Sequence, residues 1–174
     1  LFATHIGYRT PVERTPPIAT YTNDHLGGSA GALDLLSTLR SHAHSAEFER
    51  VLDGITAAIE ADRNSLLEVM QRLGVEPGWV KQAGARVGEK VMRVKSSNLV
   101  TGDEDLSRLL ELEALCIGIA GKRAGWLALR AADRSELADV DLDGLIARAD
   151  DQRERLEPHR LEAANAALGH SSGV

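Results

Sequence analysis

Four residues of types that ligate metals or move protons interrupt the apolar stripes of long helical runs: His25, Asp62, Glu113 and His159. Two carboxylates and two imidazoles form a donor set suited to iron or manganese inside a helical bundle. The same residues also suit a purely structural role, because a charge buried in a core is costly until it is paired and hydrogen-bonded. On a helical wheel, Asp62 falls in the stripe of Ile55, Ile59 and Leu66, and Glu113 in that of Leu106, Leu110 and Ile117. His159 lies on the side of Leu156 and Ala163, and His25 near that of Ala32, Leu36 and Leu39. Counting along the helices puts Glu113 and His159 at one level, where they meet, and Asp62 lower, near Arg153 and a few turns from His25. Register-fixing polar pairs, with no cofactor, are the first reading. The alternative is an incomplete site for iron or manganese built from Asp62, Glu113, His159 and His25, serving redox chemistry.

A second group is basic. Lys81, Arg86, Lys90, Arg93 and Lys95 stand against the single acid Glu89 over residues 81–95, beside a valine stripe of Val80, Val87, Val91 and Val94. This amphipathic pattern suits an anionic partner, or else a short helix that packs its valines on the bundle and solvates its charges. His42 and His44 are two residues apart, which points them in different directions on a helix and suits a solvated turn better than a metal site. Cys116, the single cysteine, reads as a small core residue and allows no intramolecular disulfide. No phosphate-binding loop, dinucleotide fingerprint, nucleophile elbow or HExxH helix occurs. Phosphoryl transfer and the common hydrolase mechanisms therefore have no support.

The elements that must position these residues follow from periodicity. Residues 1–19 carry Pro11, Pro16 and Pro17 without a hydrophobic period and read as an extended arm. A first helix is expected from Thr22 or Asn23 to about His44. A second starts after Ser45, a good N-cap, and runs through Phe48, Leu52, Ile55, Ile59, Leu66 and Met70 to Gly74. The pattern Thr101-Gly-Asp-Glu104 predicts a capping box opening a third helix, and a fourth is expected from Asp141 to Leu168. Helices one and two, and three and four, are joined by short turns and form antiparallel hairpins. About residues 74–102 lie between the hairpins, too many for a turn, and read as a crossover holding its own short helix.

Composition agrees with an all-α class: aromatic residues are only 3%, too few for the usual β-sandwich core. One domain is expected over residues 20–169, with a C-terminal tail at 170–174. The formal charge of −6 gives no global attraction for nucleic acid, so none is expected as a partner. No apolar run suggests a membrane span or a signal peptide, and position 1 is Leu, which leaves a preceding segment open. The lone cysteine suits a cytoplasmic setting. A homodimer is the expected assembly.

Two helical hairpins joined by a long crossover resemble the ferritin-like superfamily over about residues 22–168, at the level of architecture. Its metal-binding members resemble one another in placing a carboxylate on each of two helices and Glu-x-x-His on the other two. Here Glu60-Ala-Asp-Arg63 has Arg in place of His, and Glu157-Pro-His159 has a different spacing. The resemblance thus implies a four-helix bundle of ferritin-like topology without a complete di-metal site. Asn23-Asp24-His25-Leu26-Gly27-Gly28 and Leu109-Leu110-Glu111-Leu112-Glu113-Ala114-Leu115 also resemble helix segments of bacterial helical-bundle proteins of no assigned activity. The functional expectation is a bundle acting through self-association or partner binding.

Overall fold

In a computed structural model the described residues are 15–78 and 103–169. Among them the chain forms four long helices and no strand: α1 Pro17–Ser41, α2 Ala46–Arg72, α3 Glu104–Ala131 and α4 Leu142–Leu168, with a short 3₁₀ turn at Ser135–Leu137. None of these helices is long and apolar enough to cross a membrane. The basic segment Lys81, Arg86, Lys90, Arg93 and Lys95, the expected crossover helix, most of the expected arm and the tail lie outside the described residues.

Local chemistry sets the helix ends. The Ser45 side chain accepts from the Phe48 amide, Asp103 from Leu106 and Asp141 from Gly144, each satisfying a free amide of a first turn. Asp103, not Thr101, is therefore the cap of α3. α1 begins at Pro17, five residues before the expected Thr22, because proline at the first helical position loses no hydrogen bond and already has helical φ. α2 ends in a Schellman motif. Gly74 takes φ of 65°, its amide donates to the Gln71 carbonyl, and the Val75 amide reaches the Met70 carbonyl at 2.8 Å.

Pairings between helices give their directions. Arg63 of α2 donates to the Leu26 carbonyl and the Ser29 hydroxyl of α1, while Arg40 near the end of α1 pairs with Asp53 early in α2. His25 of α1 faces Gly125, near the end of α3. Arg123 and Arg130 of α3 pair with Asp150 and Asp143 of α4. Asp62 late in α2 meets Arg148 early in α4. Every neighbouring pair is thus antiparallel: α1 and α4 run one way, α2 and α3 the other. Arg72 and Glu104 consequently lie at opposite ends of the bundle.

The core has two parts. One gathers Leu36, Leu39, Leu52, Ile55, Ile59, Leu112, Leu115, Ile119 and Leu156. The other gathers Leu26, Leu66, Met70, Trp126, Leu129, Leu142 and Ile146. Between them α2, α3 and α4 each carry polar residues, and α1 carries mostly glycine and alanine.

Candidate functional site

Following α2 from Ile59 in the first cluster to Leu66 in the second crosses Asp62; following α3 from Ile119 to Trp126 crosses Lys122; following α4 from Leu156 back to Leu145 crosses Gln152 and Arg148. These four side chains form one polar layer across the interior. The Asp62 carboxylate is 1% exposed, and Gln152 is completely buried. Lys122 Nζ donates to Asp62 Oδ2 at 2.5 Å and also to Gln152 Oε1. Gln152 Nε2 closes the triangle, donating to the same Oδ2 at 2.8 Å. The amide of Gln152 thus faces the ammonium with its oxygen and the carboxylate with its nitrogen, the orientation that satisfies both.

Arg148 Nε comes within 2.6 Å of Asp62 Oδ1, but its N–H is not aimed at that oxygen, so the contact is an ion pair and not a hydrogen bond. Arg148 is 38% exposed and also lines an open surface depression of about 320 Å³ between α2 and α4. It links the layer to the surface. Burial lowers the Lys122 pKa from its ordinary value, Asp62 works against that shift, and Arg148 adds to it. The layer holds one carboxylate and two cations. Such an arrangement locks helix register, because sliding α2 by one turn would set Asp62 against an apolar cluster.

The residues singled out in the sequence take different positions. Asp62 is buried as expected, but its partners are Lys122, Gln152 and Arg148; Arg153 is half-exposed and pairs with Asp150. Glu113 is 43% exposed and lies 3.6 Å from Arg160, while Glu111 takes a buried position. Of the stripe Leu106, Leu110 and Ile117 that seemed to carry Glu113 inward only Leu106 packs on the core; Leu110 and Ile117 are exposed, and Leu109, Leu112, Leu115 and Ile119 are buried instead. His159 does share a level with Glu113, one residue from Arg160, but its ring packs on Phe48 of α2 at 4.6 Å. His25 stacks edge-on against Tyr21 at 4.7 Å and covers Gly125. Burial lowers the His25 pKa, and Asp24 partly offsets it.

Among the described residues no three His, Cys, Asp or Glu side chains gather as a metal would require. Asp62, Glu113, His159 and His25 are thus not brought together. His42 and His44 are exposed. Cys116 is half-buried, and burial, then Glu157, raise its pKa, which favours the protonated thiol over the thiolate. Lys122 and Gln152, the residues missed, had a signal: each continues an apolar stripe, Leu115-Ile119-Lys122-Trp126 and Leu145-Ala149-Gln152-Leu156. The chain matches no family model, no curated protein and no solved structure.

Proposed function

We propose that this chain is a helical bundle of ferritin-like topology that acts through its surfaces, by self-association or by binding a partner, while its inward polar residues fix the register of the helices. One observation carries this reading: the way Asp62 is satisfied. Its Oδ2 accepts from Lys122 and Gln152, and its Oδ1 faces Arg148. A divalent cation there would have to displace an ammonium group and sit beside a guanidinium. Glu113, by contrast, serves Arg160 near the surface. The topological part is supported by the helix directions, since two antiparallel hairpins with parallel second and third helices need a crossover along the bundle.

Elemental analysis after incubation with iron, manganese or zinc tests the proposal. The expected result is substoichiometric metal in the wild type, unchanged in Asp62→Asn and in Glu113→Ala. Stoichiometric iron or manganese that disappears in either variant would overturn it in favour of a redox protein with a degenerate carboxylate and histidine site.

A further inference from the structure

The water-facing side of α3 is apolar. From Leu110 to Ala128 the outermost positions of this helix are apolar or glycine, and its half-exposed charges Glu113 and Arg123 turn toward Arg160 and Asp150 of α4, whereas α2 exposes Glu49, Asp53, Glu60, Asn64 and Glu68. A helix on the surface of a bundle ordinarily turns charged and polar residues outward. Ile117 is 72% exposed, and the four large exposed hydrophobic residues among those described, Leu110, Ile117, Leu161 and Leu168, all lie on α3 and α4. Leu110, Ala114, Ile117, Gly121, Ala124 and Ala128 alternate at four- and three-residue spacing, the pattern of a helix–helix seam. The core side of α3 is already filled by Leu109, Leu112, Leu115 and Ile119, so this is a second seam.

We infer that this outer face of α3 pairs, antiparallel and about a two-fold axis, with the same face of a second copy of the chain. The inference rests on the self-association reading above and names its surface. Two features make the face complementary to itself. The first is size: both large residues, Leu110 and Ile117, lie in its first half, and its second half holds only Gly121, Ala124 and Ala128. An antiparallel pairing centred near Ile119 sets Ile117 over Gly121 of the second copy and Leu110 over Ala128. A Cβ built on Gly121 meets nothing within 4 Å, so the notch that would receive Ile117 is open. The second is charge: α3 has Glu104 and Asp105 in its first turn and Arg130 in its last. These charges flank the seam and are engaged within the chain, Arg130 with Asp143 and Asp105 with Arg108, so what antiparallel pairing gains from them is the favourable opposition of the helix dipoles and no like-charged seam residue to bury. A closed two-fold contact follows, in which each copy gives and receives the same knobs.

Light scattering and sedimentation of the full chain test this, beside Ile117→Lys and Gly121→Leu. Helical circular dichroism should persist in both variants, because the two positions face open space and leucine is a better helix former than glycine. The expected result is a dimeric wild type, a monomeric Ile117→Lys, and at least a roughly tenfold weaker dimer in Gly121→Leu, in which the notch is filled although apolar surface is added. A dimer indifferent to both changes would overturn the α3 face while leaving self-association standing, and a dimer tightened by Gly121→Leu would overturn the notch. A monomeric wild type would overturn both. In that case, protection of the Ile117→Cys variant from maleimide, in a Cys116→Ser background, would show that another part of the same chain covers the face.

Discussion

Replacing Asp62 by asparagine keeps the shape of the polar layer and removes its only negative charge. Lys122, 17% exposed, and Arg148, 38% exposed, are then left with no negative charge between them. Breaking a buried ion pair by removing one partner costs about 3–5 kcal/mol. Arg148 can turn toward water, so its share is small and the lower end, about 3 kcal/mol, is expected. For a chain of 174 residues that loss lowers Tm by roughly 6–12 °C. Pairing Asp62→Leu with Lys122→Met removes the carboxylate and the ammonium together but leaves the buried Gln152 amide without either partner, so the double variant should stay about 1–3 kcal/mol below the wild type, well short of the sum of the two single losses. Urea titrations of the wild type, both singles and the double give the coupling directly. The pH dependence supplies a second check. Burial lowers the folded pKa of Lys122, so between that value and the ordinary 10.5 the unfolded chain binds more protons and stability rises with pH. The penalty is fully present below the folded pKa. Without Asp62 to offset burial the shift grows, and the loss in Asp62→Asn should shrink as pH rises toward the ordinary lysine range. A loss below about 1 kcal/mol, or one that grows with pH, would refute the layer as the element that holds register.

Three further outcomes follow from the packing. The lowered pKa of His25 means that acidification through the histidine range forces a proton onto a half-buried ring: stability should fall as pH drops below 6.5, and His25→Phe should flatten that limb of a Tm-against-pH series. A methyl group at Gly125 would meet the His25 ring at 2.8 Å, whereas one at Gly118 meets nothing within 4 Å. Gly118→Ala should therefore stabilise by about 0.5–1 kcal/mol, and Gly125→Ala should destabilise despite the same gain in helix propensity, as chemical denaturation will show. Ser45→Ala removes the acceptor for the Phe48 amide and should cost about 1 kcal/mol in the same assay.

Much of this architecture was legible in the residues. The periodicity of α2, the Ser45 cap and the short turns gave the helices and their hairpin order, because local chemistry decides them. The start of α1 was not, since the two prolines that suggest an extended arm also suit a first helical turn. Asp62 was legible as an inward charge because its helix has one apolar face. Glu113 was misplaced because α3 has two, and a wheel cannot tell the face that meets the bundle from the one that meets water. Lys122 and Gln152 went unseen for another reason. A lysine or glutamine in an apolar stripe usually lies at its edge, and only the approach of three helices shows that these two share one carboxylate.

The polar layer also bears on how the chain comes off the ribosome. Asp62 belongs to the first hairpin, and among the described residues its carboxylate's partners Lys122, Gln152 and Arg148 belong to the second. When α1 and α2 have emerged and α3 and α4 are still to be made, the carboxylate has no cation to meet and stays hydrated. The polar layer is therefore complete only once Lys122 and Gln152 have both been made, the second of them in the last helix.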